Sequence, residues 1–221
     1  MPVLAGYEGL ERIDLDRLRE DFRSIIARID SILSAREELR DNLIKAGRDI
    51  IKLSGWAINA LHRGSLEEAR RYVEDMEAKT REFIGLARRD SSLWHSGFVN
   101  NVLSEYVEAR AFYDIVVRGV VPGPEELGVG EVAYLQGIGD TLGELRRLAL
   151  DFMRVGQLDK AEKLLDIMET LYYELRSLEY PDALMPGVRH KVDVARRLID
   201  DTKALLLTVK ARLGSDTAGR E

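Results

Sequence analysis

The sequence of 221 residues contains no cysteine. This absence excludes disulfide bonds and thiolate metal ligands. A metal site in this chain must therefore use oxygen ligands or the three histidines, His62, His95 and His190. No apolar run approaches the roughly 20 residues that span a bilayer, and the first residues lack the basic and apolar regions of a signal peptide. We expect a cytoplasmic protein without a membrane partner.

Positive charge is in the minority, with 33 Lys and Arg against 39 Asp and Glu, which gives a net charge of −6. This balance argues against non-specific nucleic-acid binding over the whole surface, although it leaves a local basic groove open. Gly/Ser-rich linkers are absent, and 45% of the residues are hydrophobic, which is enough for one core. We therefore expect one domain over residues 1–221, with frayed ends at about 1–12 and 214–221.

Helical periodicity dominates the whole chain, and no segment alternates like a strand. The pattern predicts an all-α fold with a loop at residues 119–130, where two prolines and four glycines gather. Ser34 is a candidate break in the first helical region, and Ser65 with Glu68 resembles a capping box at the start of the second. The predicted helical regions are about 14–62, 65–88, 93–118, 131–155, 158–179 and 187–213.

One short pattern occurs twice. Residues 64–69, Gly-Ser-Leu-Glu-Glu-Ala, match residues 156–161, Gly-Gln-Leu-Asp-Lys-Ala, and a Met-Glu pair follows at the same offset in both copies. A glycine that ends one helix and a small alanine early in the next are typical of an αα-hairpin. Two distant copies do not make a tandem array, which needs at least three adjacent repeats.

Two pairs of carboxylates have the spacing of one helix face. Glu105 and Glu108 are three residues apart, and no Lys or Arg among their helix neighbours relieves their repulsion. Asp140 and Glu144 are four residues apart in a helix that also contains three glycines, Gly137, Gly139 and Gly143. Because glycine destabilises a helix, these glycines indicate that the backbone approaches another helix or a ligand.

Two facing helices with four carboxylates would suit a hard cation, Mg²⁺ or Mn²⁺. Such an ion can polarise a phosphate and activate a bound water, so phosphodiester hydrolysis is the chemistry that fits best. The plainer alternative is that these acids are solvated. For Glu144 an ion pair with Arg147 also stays open.

At these residues the sequence resembles the translin and translin-associated factor X (Trax) family. Residues 105–109, Glu-Tyr-Val-Glu-Ala, are similar to a motif of the Trax branch. Residues 134–145, Tyr-Leu-Gln-Gly-Ile-Gly-Asp-Thr-Leu-Gly-Glu-Leu, are similar to a second Trax segment of the form Tyr-Leu-x-Gly-x-x-Asp-x-x-Gly-Glu-Leu.

The resemblance implies a translin-like bundle of about seven antiparallel helices, in an αα superhelix, that assembles into a hollow, octamer-like shell around nucleic acid. It implies a Mg²⁺- or Mn²⁺-dependent endoribonuclease acting on single-stranded RNA, with single-stranded DNA as a further ligand. Self-assembly into a homo-oligomer is preferred to assembly with a separate translin. The catalytic and metal roles would fall on Glu105, Glu108, Asp140 and Glu144, and nucleic-acid binding on Arg88, Arg89, His95 and Arg147.

Further basic residues are candidates for phosphate contacts, with a solvated or salt-bridged role as the alternative for each of them: Arg110, Arg146, Arg189 and Lys191. Two other functions also stay open. One is a shell that binds single-stranded RNA or DNA without cleaving it. The other is a helical scaffold that binds proteins.

Overall fold

The computed structural model describes residues 9–218, with side chains up to residue 212. Helices fill this range and no strand occurs in it, which confirms the all-α prediction. A 3-10 helix, Leu10–Arg12, precedes the α-helices, and a π-helical turn, Asp114–Arg118, follows the fourth. The α-helices are α1 (Leu15–His62), α2 (Leu66–Ala87), α3 (Ser91–Trp94), α4 (Gly97–Tyr113), α5 (Pro124–Leu127), α6 (Glu131–Arg154), α7 (Leu158–Arg176) and α8 (Val188–Ala218).

The chain forms two compact units, Met1–Asn42 and Leu43–Glu221. The described part of the first unit is the 3-10 helix and the first part of α1, whose large apolar side chains are exposed except for the partly buried Leu39. The second unit contains the buried core. Of the termini predicted to fray, residues 1–8 and 219–221 lie outside the described residues, whereas α8 extends to Ala218. The organisation as a single domain stays a prediction.

Three local predictions were wrong. Helix α1 continues through Ser34 without a break. The third helical region is divided into α3 and α4, because the Ser96 hydroxyl accepts a hydrogen bond from the Val99 amide (3.3 Å) and so starts a new helix. Ser65 makes no side-chain cap, and its intended partner Glu68 pairs with Arg63 instead (2.8 Å).

The repeated pattern does form two helix starts of the same kind. Gly64 and Gly156 adopt left-handed backbone angles, with φ of 72° and 77°, between consecutive helices, where glycine avoids the steric cost of a Cβ. Ala69 and Ala161, at equivalent places in α2 and α7, are fully buried. The αα-hairpin prediction is therefore confirmed at both copies.

Helix α4 lies in the core of the second unit. Its buried residues are distributed around most of its circumference, so the helix has no continuous polar face. Helix α6 packs along α4, and α7 and α8 pack on α6 and on each other. No helix within residues 9–218 has the length and apolar character needed to cross a membrane.

Candidate active site

Helices α4 and α6 touch backbone to backbone at Gly137. A Cβ atom on this glycine would lie 2.6 Å from the carbonyl oxygen of Ser104 and 2.6 Å from the Cβ of Val107. Next to this contact, the Thr141 hydroxyl donates to the Gly137 carbonyl (2.9 Å) and lies 3.4 Å from the Glu108 carbonyl oxygen. The two helices that carry the predicted carboxylates therefore lie side by side.

The three glycines of α6 have different roles. Gly137 faces α4, and a Cβ on Gly139 would meet the Lys191 side chain of α8 at 2.9 Å. Gly143 has nothing within 4 Å of its missing Cβ. The prediction that the glycines allow close approach is thus confirmed for Gly137 and Gly139. For Gly143 no other helix comes close, and the approach of a ligand stays a prediction.

Replacing Gly137 by Ala is expected to lower the free energy of unfolding by about 1–3 kcal/mol, because the new methyl group must push the α4 backbone away. Gly143→Ala is the matched control in the same helix. It should be neutral or stabilising, by up to about 1 kcal/mol, since alanine favours the helix and the space is open. Urea denaturation of both variants measures the difference, and equal effects would contradict the close helix contact.

Glu105, Glu108, Asp140 and Glu144, here called the acidic cluster, influence one another electrostatically. Burial raises the pKa of Glu108 to about 8, and the charges of Asp140, Glu105 and Glu144 add to this shift. Burial also raises the pKa of Glu105, again with a contribution from Asp140. The cluster therefore concentrates more negative charge in a half-buried site than the site can stabilise by itself.

Lys191 supplies a positive charge at the acidic cluster. Its ammonium nitrogen lies 2.5 Å and 2.6 Å from the two carboxylate oxygens of Asp140. The same charge partly offsets the raised pKa values of Glu105 and Glu108. Of the two roles left open for Lys191, the salt-bridged one is confirmed.

Glu144 has a different environment from Glu108. His62, at the end of α1, donates from Nε2 to the Glu144 carboxylate (2.5 Å), and Arg147 lies 3.6 Å away. The hydrogen bond from His62 is the main cause that lowers the pKa of Glu144, and the charge of Arg147 acts in the same direction. Glu144 is therefore an ionised carboxylate at neutral pH, and the ion-pair alternative with Arg147 is confirmed.

The His62 imidazole is held firmly in place. Only 5% of its side chain is exposed, and its ring packs on Phe112 with 5.2 Å between ring centres. Its Nδ1 atom is buried and has no hydrogen-bond partner among the described residues, although the Asp151 carboxylate lies 3.9 Å away. Sequence reasoning did not assign His62 to the site, because 82 residues separate it from Glu144.

The structure brings the four predicted carboxylates close enough together for their charges to shift the pKa values of Glu105 and Glu108. Within residues 9–218, however, no three His, Asp or Glu side chains are arranged to hold a metal ion. In the described arrangement Asp140 is paired with Lys191 and Glu144 with His62. As a donor set, four half-buried carboxylates nevertheless fit a hard divalent cation in chemistry.

The predicted nucleic-acid-binding residues lie in two places. Arg147 is more than half exposed and borders the acidic cluster at Glu144. Arg88, Arg89 and His95 are exposed residues of the corner between α2, α3 and α4. There the Arg88 guanidinium stacks over the Trp94 ring at 4.9 Å and donates to the Gly128 carbonyl (3.2 Å).

Arg110 does not serve as a phosphate ligand in this arrangement. It pairs with Glu77, with Glu126 (3.2 Å) and with the fully buried carboxylate of Asp114 (2.7 Å). This network confirms the salt-bridged alternative for Arg110. It also joins α4 to α2 and to the short helix α5.

Comparison with known proteins places this geometry in context. No family model matches the chain. An uncharacterized protein of Methanocaldococcus jannaschii is 26% identical over 178 residues, which cover 80% of this chain and 78% of that protein. The structure of an AfC3PO–duplex RNA complex is similar with a TM-score of 0.76 and 29% identity, over 85% of this chain and 97% of that chain.

Two further solved structures are similar over almost their full length. The crystal structure of AfC3PO has a TM-score of 0.71 and 30% identity, and the match covers 87% of this chain and 98% of that chain. The crystal structure of apo-NeC3PO has a TM-score of 0.73 and 26% identity, and the match covers 89% of this chain and 97% of that chain. C3PO structures are built from translin/Trax subunits.

The chain belongs to the translin family.

The expected translin-like helical architecture is confirmed. The similarities do not distinguish the Trax branch from translin itself. The assignment to the Trax branch thus depends on the two acidic motifs alone.

Proposed function

We propose that this translin-family protein is a metal-dependent endoribonuclease acting on single-stranded RNA, and that the acidic cluster is its active site. The observation that carries the proposal is the pairing of α4 and α6. It gathers four carboxylates in a half-buried site where burial and mutual repulsion raise the pKa of Glu108 to about 8. Perturbed carboxyls of this kind concentrate at functional sites.

Glu105, Glu108, Asp140 and Glu144 are the residues that would hold a divalent cation, Mg²⁺ or Mn²⁺. When bound, such an ion supplies positive charge to the scissile phosphate and lowers the pKa of a water molecule. The carboxylates fit this role because a divalent charge would relieve the repulsion that raises the pKa values of Glu105 and Glu108. In the described arrangement Lys191 provides that relief at Asp140.

The side chains around the cluster have separate tasks. Burial and the three neighbouring acids raise the pKa of Glu108 in the metal-free protein, and a bound cation would hold its carboxylate in the ionised form that acts as a ligand. His62 fixes one oxygen of Glu144 and so orients that carboxylate. Arg147, at the exposed edge, has the bidentate guanidinium that binds phosphate oxygens.

RNA binding and self-assembly complete the proposal. AfC3PO, which is similar over most of this chain, is described in complex with duplex RNA. We propose that the present chain also binds RNA, with Arg88, Arg89, His95 and Arg147 in contact with it, and that it forms a homo-oligomeric, octamer-like shell. Single-stranded DNA would bind through the same phosphate contacts.

The direct test is cleavage of an unstructured, end-labelled RNA by the purified protein. Cleavage should require Mg²⁺ or Mn²⁺, stop in EDTA and return when the ion is restored in excess. A DNA oligonucleotide of the same sequence is the matched control and should bind without being cut. Equal RNA cleavage in EDTA would remove the metal from the proposal.

The competing function is RNA binding without cleavage. The Lys191–Asp140 ion pair favours it, because an internal cation already compensates part of the acidic cluster. It predicts RNA binding that weakens with salt and no cleavage with any divalent ion. The same gel assay therefore separates the two functions.

His62 offers a further prediction about the site. His62→Leu removes the donor to Glu144 and is expected to lower the cleavage rate by about 10–100-fold, as is typical when a group that orients a metal ligand is lost. His62→Gln keeps an N–H near the position of Nε2 and should retain most of the rate. RNA affinity, measured in EDTA, should be the same for both variants, and equal rates for Leu and Gln would argue against an orienting role.

A further inference from the structure

The first part of α1 has an apolar stripe that the described chain leaves in solvent. Its members recur alternately three and four residues apart, and each is 41–67% exposed: Leu15, Leu18, Phe22, Ile25, Ile29 and Ile32. Ile26 (47% exposed) and Leu33 (53% exposed) broaden the same side. We call these eight side chains the α1 seam. The alternating spacing is that of the a and d positions of a coiled coil.

The α1 seam is too large for an ordinary exposed surface. Its eight side chains present on the order of 800 Å² of apolar surface, as much as one partner buries in a standard protein interface. Proteins rarely leave a contiguous apolar patch of this size uncovered. The heptad spacing continues through Leu43, Ile50 and Leu53, which are buried in the second unit.

The charges beside the seam argue against a nucleic-acid partner. Residues 14–35 contain five acidic residues (Asp14, Asp16, Glu20, Asp21 and Asp30) and four basic ones (Arg17, Arg19, Arg23 and Arg28). RNA-binding helices instead present an excess of positive charge. An apolar seam with nearly balanced flanking charges fits another helix of the same kind.

We propose that the α1 seam pairs with the α1 seam of a second copy of this chain, as an antiparallel two-stranded coiled coil. Antiparallel pairing places a positions against d positions, so Phe22 faces Ile25 of the partner subunit and Leu18 faces Ile29 of the partner subunit. The two-fold axis passes between residues 23 and 24. The contact is isologous, because each helix presents the same surface to the other.

Two charged residues near the middle of the seam, Asp21 and Arg28, favour the antiparallel direction. Asp21 and Arg28 are both g positions of the heptad, and in an antiparallel pair the g positions of the two helices face each other. Asp21 therefore lies opposite the partner's Arg28, and Arg28 lies opposite the partner's Asp21. Each dimer therefore gains two pairs of opposite charge. A parallel dimer would place Asp21 beside the partner's Ile26 and Arg28 beside the partner's Leu33, where neither charge has an opposite. It would also place Asp14 beside the partner's Arg19, but both of these already have partners in their own helix: Asp14 accepts from the Asp16 and Arg17 amides, and Arg19 pairs with Asp16 (2.9 Å).

This inference deepens the homo-oligomer part of the proposed function by naming one of its surfaces, and it does not depend on RNA cleavage. Light scattering on a sizing column should give the wild-type protein a mass of at least twice the 25.0 kDa of one chain. Ile25→Glu with Ile29→Glu should lower the mass by at least twofold. Ala27→Glu, on the opposite side of the same helix, is the matched control and should leave the mass unchanged.

Charge exchange tests the direction of the pair. Asp21→Arg alone places two arginines together, and Arg28→Asp alone places two aspartates together. Each should weaken dimerisation by about tenfold, as measured by dilution in sedimentation experiments. The double variant restores opposite charges and should recover the wild-type dimer. Failure of the double variant to recover would overturn the proposed register.

The absence of cysteine makes cross-linking unambiguous. A mixture of the single variants Leu18→Cys and Ile29→Cys should form a mixed disulfide under mild oxidation, because antiparallel pairing brings these positions together. Leu18→Cys alone should remain mostly reduced. Efficient disulfide formation by Leu18→Cys alone would indicate a parallel pair and overturn the proposal, as would a monomeric wild-type protein at 100 μM.

Cleavage assays on the same variants separate the two proposals. Glutamates in the α1 seam change the mass, whereas substitutions in the acidic cluster should leave the mass unchanged and stop cleavage. A protein that cleaves RNA but keeps its mass with glutamates in the seam would contradict the interface alone. A protein that dimerises through the seam but cleaves no RNA would contradict the nuclease alone.

Discussion

Glu108→Gln is expected to lower metal-dependent RNA cleavage by on the order of 10³-fold. The substitution keeps the size of the side chain and removes its charge and its proton exchange. Glu108 is the acid on which the other three members of the cluster act together, so its loss should affect cation binding and water activation at once. Single-turnover cleavage of labelled RNA measures the rate.

The matched control is Glu162→Gln. Glu162 is a half-exposed carboxylate on α7 that pairs with Lys210 (2.7 Å), outside the acidic cluster. Its replacement should leave cleavage within about twofold, because surface ion pairs contribute little. If Glu108→Gln cleaved RNA as fast as Glu162→Gln, the acidic cluster would have no catalytic role, and RNA binding alone would remain.

The metal-free protein is expected to lose stability as the pH rises from 6 to 9. The folded state holds the Glu108 proton with a pKa of about 8, far above the ordinary 4.5, so the folded state binds more protons than the unfolded chain. The stability that the protonated Glu108 gives to the folded state is fully present below the pKa of the unfolded chain, 4.5. It is lost as the pH rises through the folded-state pKa of about 8. For Glu108 alone the loss is on the order of 3 kcal/mol.

Two comparisons isolate Glu108 in this experiment. Glu108→Gln cannot ionise, so in EDTA its free energy of unfolding should exceed that of the wild type at pH 9 and differ much less at pH 6. Glu144 does not affect this comparison. Its pKa is lowered, so it changes the stability only at acidic pH, below the range measured. Denaturant titrations at the two pH values suffice, and a wild-type stability that rises toward pH 9 would contradict the buried position of Glu108.

The sequence predicted the acidic cluster from local spacing. Three- and four-residue intervals place Glu105 with Glu108 and Asp140 with Glu144 on single helix faces. Gly137 indicated that a second backbone comes close, and the structure identifies that backbone as α4. The placement of each pair on one helix face and the close contact at Gly137 could be predicted because each depends on residues within one or two helical turns. The catalytic and metal-binding roles of the four acids stay predictions.

The partners of the cluster were not predictable in the same way. His62 and Lys191 come from helices at opposite ends of the chain, 82 and 51 residues from the acids that they contact. A signal for Lys191 was nevertheless present. Residues 189–191, Arg-His-Lys, open α8, where positive charge opposes the helix dipole. For Lys191 the partner anion is Asp140, within the same chain.

The break before α4 also had an overlooked signal. Ser96 precedes Gly97 and can accept the Val99 amide, which is the usual chemistry of a helix start. The helical spacing of apolar residues continues from Leu93 to Arg118, and this continuity concealed the helix start at Ser96. The exposure of the α1 seam was not predictable, because an amphipathic pattern reports that a helix face is apolar and not which surface covers it.

Lys191 gives the acidic cluster a mechanical connection to the carboxy-terminal helix. Its ammonium group holds Asp140, and its hydrocarbon stem lies against Gly139. A divalent ion that occupied Asp140 would have to displace this ammonium group. The ion concentration needed to fill the site would then be set by competition with a lysine that belongs to the same chain and whose local concentration is therefore fixed.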